Sequence, residues 1–418
     1  MSFKKEILHT AVLAQSAARF LSSASEGKKN KAIKAMAESL IKHKLSILKA
    51  NKQDIKAAHA QKRSSAFIDR LTLNAQRLKK MSDDLMSVIA LDDPVGKIIK
   101  MWRRPNGLNM CKISVPLGVI GIIYESRPNV TSDCAALCLK AGNAVILRGG
   151  KESIHSNLAI YKAISAAISK CGFPKGCISL ITTTDRAAVL IMLGLSDYID
   201  LIIPRGGESL IRSVVENSKI PVIKHYKGIC HTYVDKYADL NMAEEIAFNA
   251  KVQRPSTCNA MECLLVHKSV APEFIPRIVK RLKAAKVEIR GCKNTIKLVK
   301  GVKKATNEDY ATEFLDLILC VKVVESMTEA LAHIVKYGSK HSDAIVTENF
   351  PNGMKFLKAV DSACVYLNAS TRFTDGNEFG LGAEIGVSTD KLHARGPMGL
   401  EELTIYKYMV MGNGQIRK

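Results

Sequence analysis

Cys258 is the residue in this sequence most exposed to chemical duty by its surroundings. It sits in the run Arg254-Pro255-Ser256-Thr257-Cys258-Asn259, between a helical stretch over about 241–251 and an apolar strand-like stretch over 263–267. Small and polar neighbours on a loop leave a thiol accessible, and the cation Arg254 close by favours its thiolate, the form that attacks an acyl carbon. The other cysteines are differently placed. Cys134 and Cys138 share one face of an apolar helix, and Cys263, Cys320 and Cys364 lie in strand-like apolar stretches where an inert thiol is expected. The eleven cysteines form no CxxC pairs, so neither a disulfide framework nor a zinc ribbon is indicated, no metal is expected, and a reducing cytoplasm fits the chain.

A second group of residues points to a phosphorylated ligand. Three strand-to-helix junctions read Glu125-Ser126-Arg127-Pro128-Asn129, Arg148-Gly149-Gly150-Lys151-Glu152 and Pro204-Arg205-Gly206-Gly207-Glu208. Paired glycines let backbone N–H groups approach a phosphate at a helix N-terminus, and the neighbouring Arg or Lys adds charge. Any one such pair also occurs as a plain turn, but three basic loops of this kind favour a phosphate-bearing ligand. Formal signatures fail. Gly380 to Gly386 has one residue too many for the dinucleotide fingerprint, and Gly150-Lys151-Glu152-Ser153 lacks the first glycine of a P-loop, with Val145 in its place.

The elements that must position these loops follow from apolar spacing. Residues 1–92 read as three or four amphipathic helices. From Met110 to Tyr124 the chain turns β-rich, and from Gly118 to His225 strand, loop and helix alternate four times. Short continuous apolar strands alternating with helices indicate an α/β fold with a parallel sheet covered on both faces, and ligands in such sheets sit at the carboxyl ends of the strands.

The formal charge of +23 raises a different possibility, nucleic-acid binding. The first 104 residues carry 22 Lys+Arg against 9 Asp+Glu. There the lysines interleave with apolar residues at helical spacing, as Lys34, Lys42 and Lys44 do among Ile33, Met36, Ala37, Leu40 and Ile41, which describes a solvated helix face. With no aromatic cluster or zinc-finger spacing, nucleic acid is not an expected partner. No apolar run spans a bilayer, so a membrane is not expected either.

Four long runs carry a resemblance across essentially the whole chain. They are Arg254 to Asn259, Ile203-Pro204-Arg205-Gly206-Gly207, Pro221 to Gly228, and Lys391-Leu392-His393-Ala394-Arg395-Gly396-Pro397-Met398-Gly399. In these the chain resembles the γ-glutamyl phosphate reductases of the aldehyde dehydrogenase superfamily. The resemblance implies a Rossmann-type cofactor domain over 1–104 and 119–225 and an α/β catalytic domain over 226–390. A β hairpin at 105–118 would join the tail 391–418 in an oligomerisation element, making a homo-oligomer.

It further implies Cys258 as nucleophile and Asn129 as side-chain oxyanion donor. Arg148, Lys151, Glu152, Gly206, Gly207 and Glu313 would hold NADPH or NADP, and Arg127, Arg254, His225 and Arg395 would hold the substrate. The implied reaction takes γ-glutamyl phosphate, handed over by glutamate 5-kinase, to glutamate 5-semialdehyde in proline biosynthesis. A CoA-acylating reductase of the same superfamily is the alternative. The segment Lys224-His225-Tyr226-Lys227-Gly228 carries no acid where hydrolytic aldehyde dehydrogenases keep a water-activating glutamate, and Ser256 stands where glycine is more usual. A basic nucleic-acid-binding protein that has kept the fold is the remote alternative.

Overall fold

A computed structural model describes residues 3–417. Five helices open the chain: α1 Phe3–Leu21, α2 Glu26–Lys42, α3 Lys44–Ala60, α4 Ser65–Leu71 and α5 Ala75–Ala90. Their starts follow capping chemistry, since Ser25, Ser64 and Asn74 accept backbone N–H bonds in the first turns of α2, α4 and α5. Ile33, Met36, Ala37 and Leu40 of α2 are buried while Lys34 and Lys42 face solvent, as their spacing implies. Ile41 falls on the outer face instead. Not all of the basic excess is solvated: Lys29 is buried against Asp93 at 2.5 Å.

Two strands follow, β1 Ile98–Arg103 and β2 Asn109–Pro116, and the final strand β16 Thr404–Met411 pairs with β2. The hairpin therefore begins at Ile98, not at 105. The run Arg104 to Gly107 is its turn, with Gly107 at φ +89° and its N–H donated to Arg104 O at 2.9 Å.

Next come β3 Val119–Tyr124, α6 Val130–Lys140, β4 Ala144–Gly149, α7 Ile154–Lys170, β5 Ile178–Leu180, α8 Ala187–Leu193, β6 Leu201–Arg205 and α9 Glu208–Asn217. The four strands form a parallel sheet in the order β5-β4-β3-β6. Every residue of β3 and β4 is buried, which is why these strands read as unbroken apolar runs. The strand order reverses at β3, so the loops after β3, β4 and β6 open at one switch point.

The remaining elements are β7 Cys230–Val234, α10 Leu240–Val252, β8 Met261–His267, α11 Ala271–Ala284, β9 Glu288–Gly291, α12 Lys293–Leu298, β10 Lys303–Lys304, α13 Asn307–Tyr310, β11 Ile318–Val324, α14 Met327–Tyr337, β12 Ser342–Val346, α15 Phe350–Ala359 and β13 Cys364–Leu367. They build a second parallel sheet in the order β10-β9-β11-β8-β7-β12-β13. Phe274, Ile275, Ile278, Val279 and Leu282 of α11 are buried in one core with Leu264 and Val266 of β8 and Val321 of β11. The short antiparallel pair β14 Val387–Ser388 and β15 Gly396–Pro397 completes the list of strands.

The chain divides into two compact units. One runs to Lys224 and includes Gly380–Gly386 and the chain from Met398 onward; the other comprises His225–Phe379 and Val387–Pro397. The expected boundary at 225/226 thus falls one residue earlier, and β2 and β16 cluster with the first unit. Residues 387–397, expected in part with the tail, cluster with the second unit, where Lys391 and Arg395 pair with Asp361 and Val387 O accepts from His225.

Candidate active site

In the first unit, the three strand-to-helix loops, two of them glycine-bearing, are organised by carboxylates. Glu152 Oε1 accepts from Ser126 N at 2.6 Å and Ser126 Oγ at 3.1 Å, holding Ser126 in the left-handed region at φ +53°. Glu125 Oε2 accepts the Gly207 N–H at 3.0 Å, at the N-terminus of α9. A negative group therefore already occupies the position that a helix N-terminus offers to a phosphate. A Cβ at Gly206 would press on the Leu210 side chain, with Cδ2 at 2.7 Å, so a larger residue there would have to displace it. The N-terminus of α7 is closed by Asp54, which accepts from His155 N at 3.2 Å and Ser156 N at 2.8 Å.

Arg148 is buried, and its Nη2 donates to Thr184 O at 3.0 Å and Asp185 O at 3.2 Å. Burial pulls its pKa down, opposed by Glu152 and Glu125. Its guanidinium thus anchors the 184–185 loop, whereas Lys151 is exposed. Asn129 precedes α6 and donates Nδ2–H to Asp133 Oδ2 at 2.8 Å, which orients the amide. Burial pushes Asp133 up to about 7, with the Asn129 bond opposing. Arg127 is half-buried on the same loop.

In the second unit, Cys258 is half-buried in the turn between α10 and β8. The next residue, Asn259, ties that turn down: its Nδ2 donates to Thr374 O at 2.9 Å and Arg372 O at 3.3 Å, and its carbonyl accepts from Thr371 Oγ1 at 2.7 Å. Arg372 hydrogen-bonds Asn259 Oδ1 and gives its Nε–H to Gln253 Oε1 at 2.9 Å. Burial lowers the pKa of Arg372 and the neighbouring Arg254 adds to this, while negative charge at Cys258 opposes it. Arg254 itself is exposed and its carbonyl accepts from Thr257. Gly228 packs directly on the turn, where a Cβ would lie 2.5 Å from the Cys258 carbonyl carbon and 2.6 Å from its Cα. Cys230 Sγ donates to the Cys258 carbonyl at 3.2 Å.

Two histidines complete this cluster. His225 Nδ1 donates to Val387 O at 2.8 Å, and His341, fully buried, is within 2.9 Å of Ser342 Oγ through Nδ1. Their rings meet edge to face with centroids 5.5 Å apart, and one nitrogen of each lies within 4.8 Å of Cys258 Sγ. The arrangement can take a proton from the thiol and hold a cation beside it. Glu313 is half-buried on a loop held by Glu262, which accepts Leu315 N at 3.1 Å and pairs with buried Lys251 at 2.6 Å. Leu315 stands at φ +53°, and burial pushes Glu262 up to about 7 against the pull of Lys251. Arg395 is held elsewhere, donating Nη1 and Nη2 to Asp361 Oδ1 and O at 2.8 and 2.9 Å.

The model of the aldehyde dehydrogenase family matches residues 3–296. The γ-glutamyl phosphate reductase of Clostridium acetobutylicum is 57% identical over 418 residues, covering all of both chains. That of Thermodesulfovibrio yellowstonii is 55% identical over 418 residues with the same coverage. The crystal structure of the γ-glutamyl phosphate reductase from Thermotoga maritima superimposes with a TM-score of 0.96 at 47% identity, covering 99% of this chain and 100% of that one. The chain belongs to the γ-glutamyl phosphate reductases of the aldehyde dehydrogenase family. The expected aldehyde dehydrogenase-like α/β fold is therefore present, and a nicotinamide cofactor is the redox partner in that family.

Within this family frame, the structure adds residues that sequence reasoning missed: Gly228, Cys230, His341 and Arg372 beside Cys258, and Asp133 behind Asn129. Only Gly228 carried a local signal, as the glycine ending the 221–228 run. The buried Asp133 has a measurable consequence. Its pKa is raised from 3.8 to about 7, so the fold disfavours the ionised form. Stability is complete below pH ~4 and declines as pH rises towards ~7. Asp133→Asn is expected to stabilise the protein at pH 8, on the order of 2 kcal/mol, and little at pH 4.5. Thermal unfolding of both proteins at the two pH values measures the difference.

Proposed function

We propose that this chain reduces γ-glutamyl phosphate to glutamate 5-semialdehyde, with release of phosphate, through a thioester on Cys258, and that this forms the second step of proline biosynthesis from glutamate. The single observation that carries the reading is full-length identity of 55–57% to γ-glutamyl phosphate reductases together with Cys258 on its braced turn.

In this reading the Cys258 thiol gives its proton to the His225–His341 pair, and the sulfur attacks the acyl carbon. Negative charge on the carbonyl oxygen is received by the Cys258 backbone N–H and by the Asn129 amide, already oriented by Asp133. The acyl-phosphate C–O bond breaks and phosphate leaves as an anion; Arg372, with Arg254 and Arg127, supplies cations for the phosphate and carboxylates. Arg395 serves by bracing the Asp361 loop. When bound, the nicotinamide cofactor would supply hydride to the Cys258 thioester, leaving a thiohemiacetal on the sulfur. Collapse of that adduct releases the aldehyde and returns the thiolate. The segment 224–228 offers no carboxylate to activate water, which suits an enzyme whose thioester must not hydrolyse.

Gly206 and Gly207 at the α9 N-terminus would receive the cofactor's phosphates, with the Glu125 carboxylate withdrawing from Gly207 N–H. Glu313 would take the nicotinamide ribose, and Arg148, Lys151 and Glu152 would form the adenosine end. NADPH is the proposed form, and Lys151 is the exposed cation for its extra phosphate. Lys151→Ala is expected to lower kcat/KM for NADP⁺ about tenfold while leaving NAD⁺ within about twofold, read in steady-state assays of both cofactors.

The experiment that tests the function is the reverse reaction: reduction of NADP⁺ by glutamate 5-semialdehyde, required to depend on inorganic phosphate. Activity with CoA in place of phosphate would select the CoA-acylating alternative. Turnover with neither would overturn the proposal. Eleven unbridged cysteines support a cytoplasmic site, and no described helix is long and apolar enough to cross a membrane.

A homo-oligomer is proposed through the sheet β1-β2-β16, where Ile98, Met101, Tyr408 and Val410 are more than half exposed. The doubly substituted Tyr408→Lys, Val410→Lys chain is expected to sediment as the monomer, whereas the unaltered chain sediments as a larger species. Receipt of the acyl phosphate from glutamate 5-kinase is the corresponding upstream step.

A further inference from the structure

Two groups of histidine and cysteine in the second unit have metal-ligand chemistry: His225, Cys258 and His341, and His231, Cys263 and His333. The second group is sealed. All three residues are buried, burial pushes the Cys263 thiol far up, and His333 is lowered to about 2. A thiol that resists ionisation in a closed core is a poor trap for a cation arriving from solvent. The first group is open on one side, because His225 and Cys258 are only half-buried.

We propose that His225, Cys258 and His341 form a binding site for a soft divalent cation, Zn²⁺ or a congener, whose occupancy blocks the nucleophile. Each residue offers one ligand atom, and the three atoms lie within 4.8 Å of one another. A zinc ion bound at about 2.3 Å from sulfur and about 2.0 Å from nitrogen sets its ligand atoms roughly 3.3–3.6 Å apart, so the three side chains must draw together by up to about 1.5 Å on binding. The outer shell is in place. His225 gives its Nδ1–H to Val387 O at 2.8 Å, which fixes the tautomer with the lone pair on Nε2. His341 Nδ1 lies 2.9 Å from Ser342 Oγ, a hydroxyl that can accept or donate and so leaves the ring free to present either nitrogen as ligand.

Three ligands leave a fourth position for water. Binding replaces the thiol proton by the cation, so one proton is released per ion and affinity rises with pH. No redox change is involved. The inhibitory consequence rests on Cys258 being the nucleophile; cation binding does not.

The test uses the full-length chain, reduced and freed of small thiols, with Co²⁺ as spectroscopic probe and Zn²⁺ as competitor. One equivalent of Co²⁺ is expected to give a sulfur-to-cobalt charge-transfer band that Zn²⁺ abolishes and that is absent from Cys258→Ala. His225→Gln and His341→Gln are each expected to weaken Zn²⁺ at least about tenfold. Zn²⁺ is further expected to slow alkylation of Cys258 by iodoacetamide and to inhibit turnover reversibly with chelator. A charge-transfer band that survives in Cys258→Ala, or zinc affinity unchanged in both histidine variants, overturns the site. Loss of the band in Cys258→Ala beside full turnover by Cys258→Ser leaves the site standing and overturns only the nucleophile assignment.

Discussion

Cys258→Ser is expected to lose at least about 10³-fold in kcat for phosphate-dependent NADP⁺ reduction, with the fold intact. The change swaps one atom on a half-buried side chain, and the bonds that hold the turn run through Asn259, Thr257 and the Cys258 carbonyl rather than through its sulfur. The loss is therefore chemical. A serine hydroxyl is a far weaker nucleophile at neutral pH than a thiol with histidines nearby, and its ester is a poorer hydride acceptor than a thioester. Mass spectrometry of the unaltered enzyme mixed with acyl phosphate and no cofactor should show the acyl adduct on the peptide containing Cys258. Near-normal turnover by Cys258→Ser would remove the thioester from the mechanism.

Gly228→Ala should cost about 10²-fold in kcat/KM although residue 228 offers no functional group. A methyl there would sit 2.5 Å from the Cys258 carbonyl carbon and 2.6 Å from its Cα. Both are backbone atoms, so relief requires moving the turn that carries Cys258. Asn259 resists that movement through its four bonds to the 371–374 segment. The strain falls on the position of Cys258 Sγ, and displacement by about 1 Å suffices for the expected loss. Rates of Cys258 alkylation and of turnover should fall together, while thermal unfolding shifts by only a few degrees. Unchanged kinetics would mean that the turn relaxes freely.

Much of the fold was legible because both sheets are parallel and covered. Strands such as Val119–Tyr124 and Met261–His267 are buried along their whole length, so they stand out as continuous apolar runs between helices. The hairpin was harder. Ile98–Arg103 has exposed apolar residues mixed with Lys and Arg, and its partner β2 pairs on its other side with β16, distant along the chain. Within the loops, residue type suggested ligands but not their present partners. Arg148 and Arg395 look like anion receptors in the sequence and are held by protein oxygens in the structure.

By itself the sequence determined the alternation of strands and helices, the place of Cys258 on a loop of small and polar residues, and the basic loops after β3, β4 and β6. These are local properties, written in spacing and in the flanking residues. Tertiary structure alone decided what surrounds Cys258. Strands β8, β7 and β12 are neighbours in one parallel sheet, with Cys230 level with Met261 and His231 level with Asp343. Parallel neighbours begin at the same edge, so the segments just before them bring Gly228, Cys258 and His341 together at the amino ends of the strands. That is opposite to the carboxyl-end position at which the loops of the first sheet lie. Strand order and register are long-range choices of packing, and no local pattern in the chain records them.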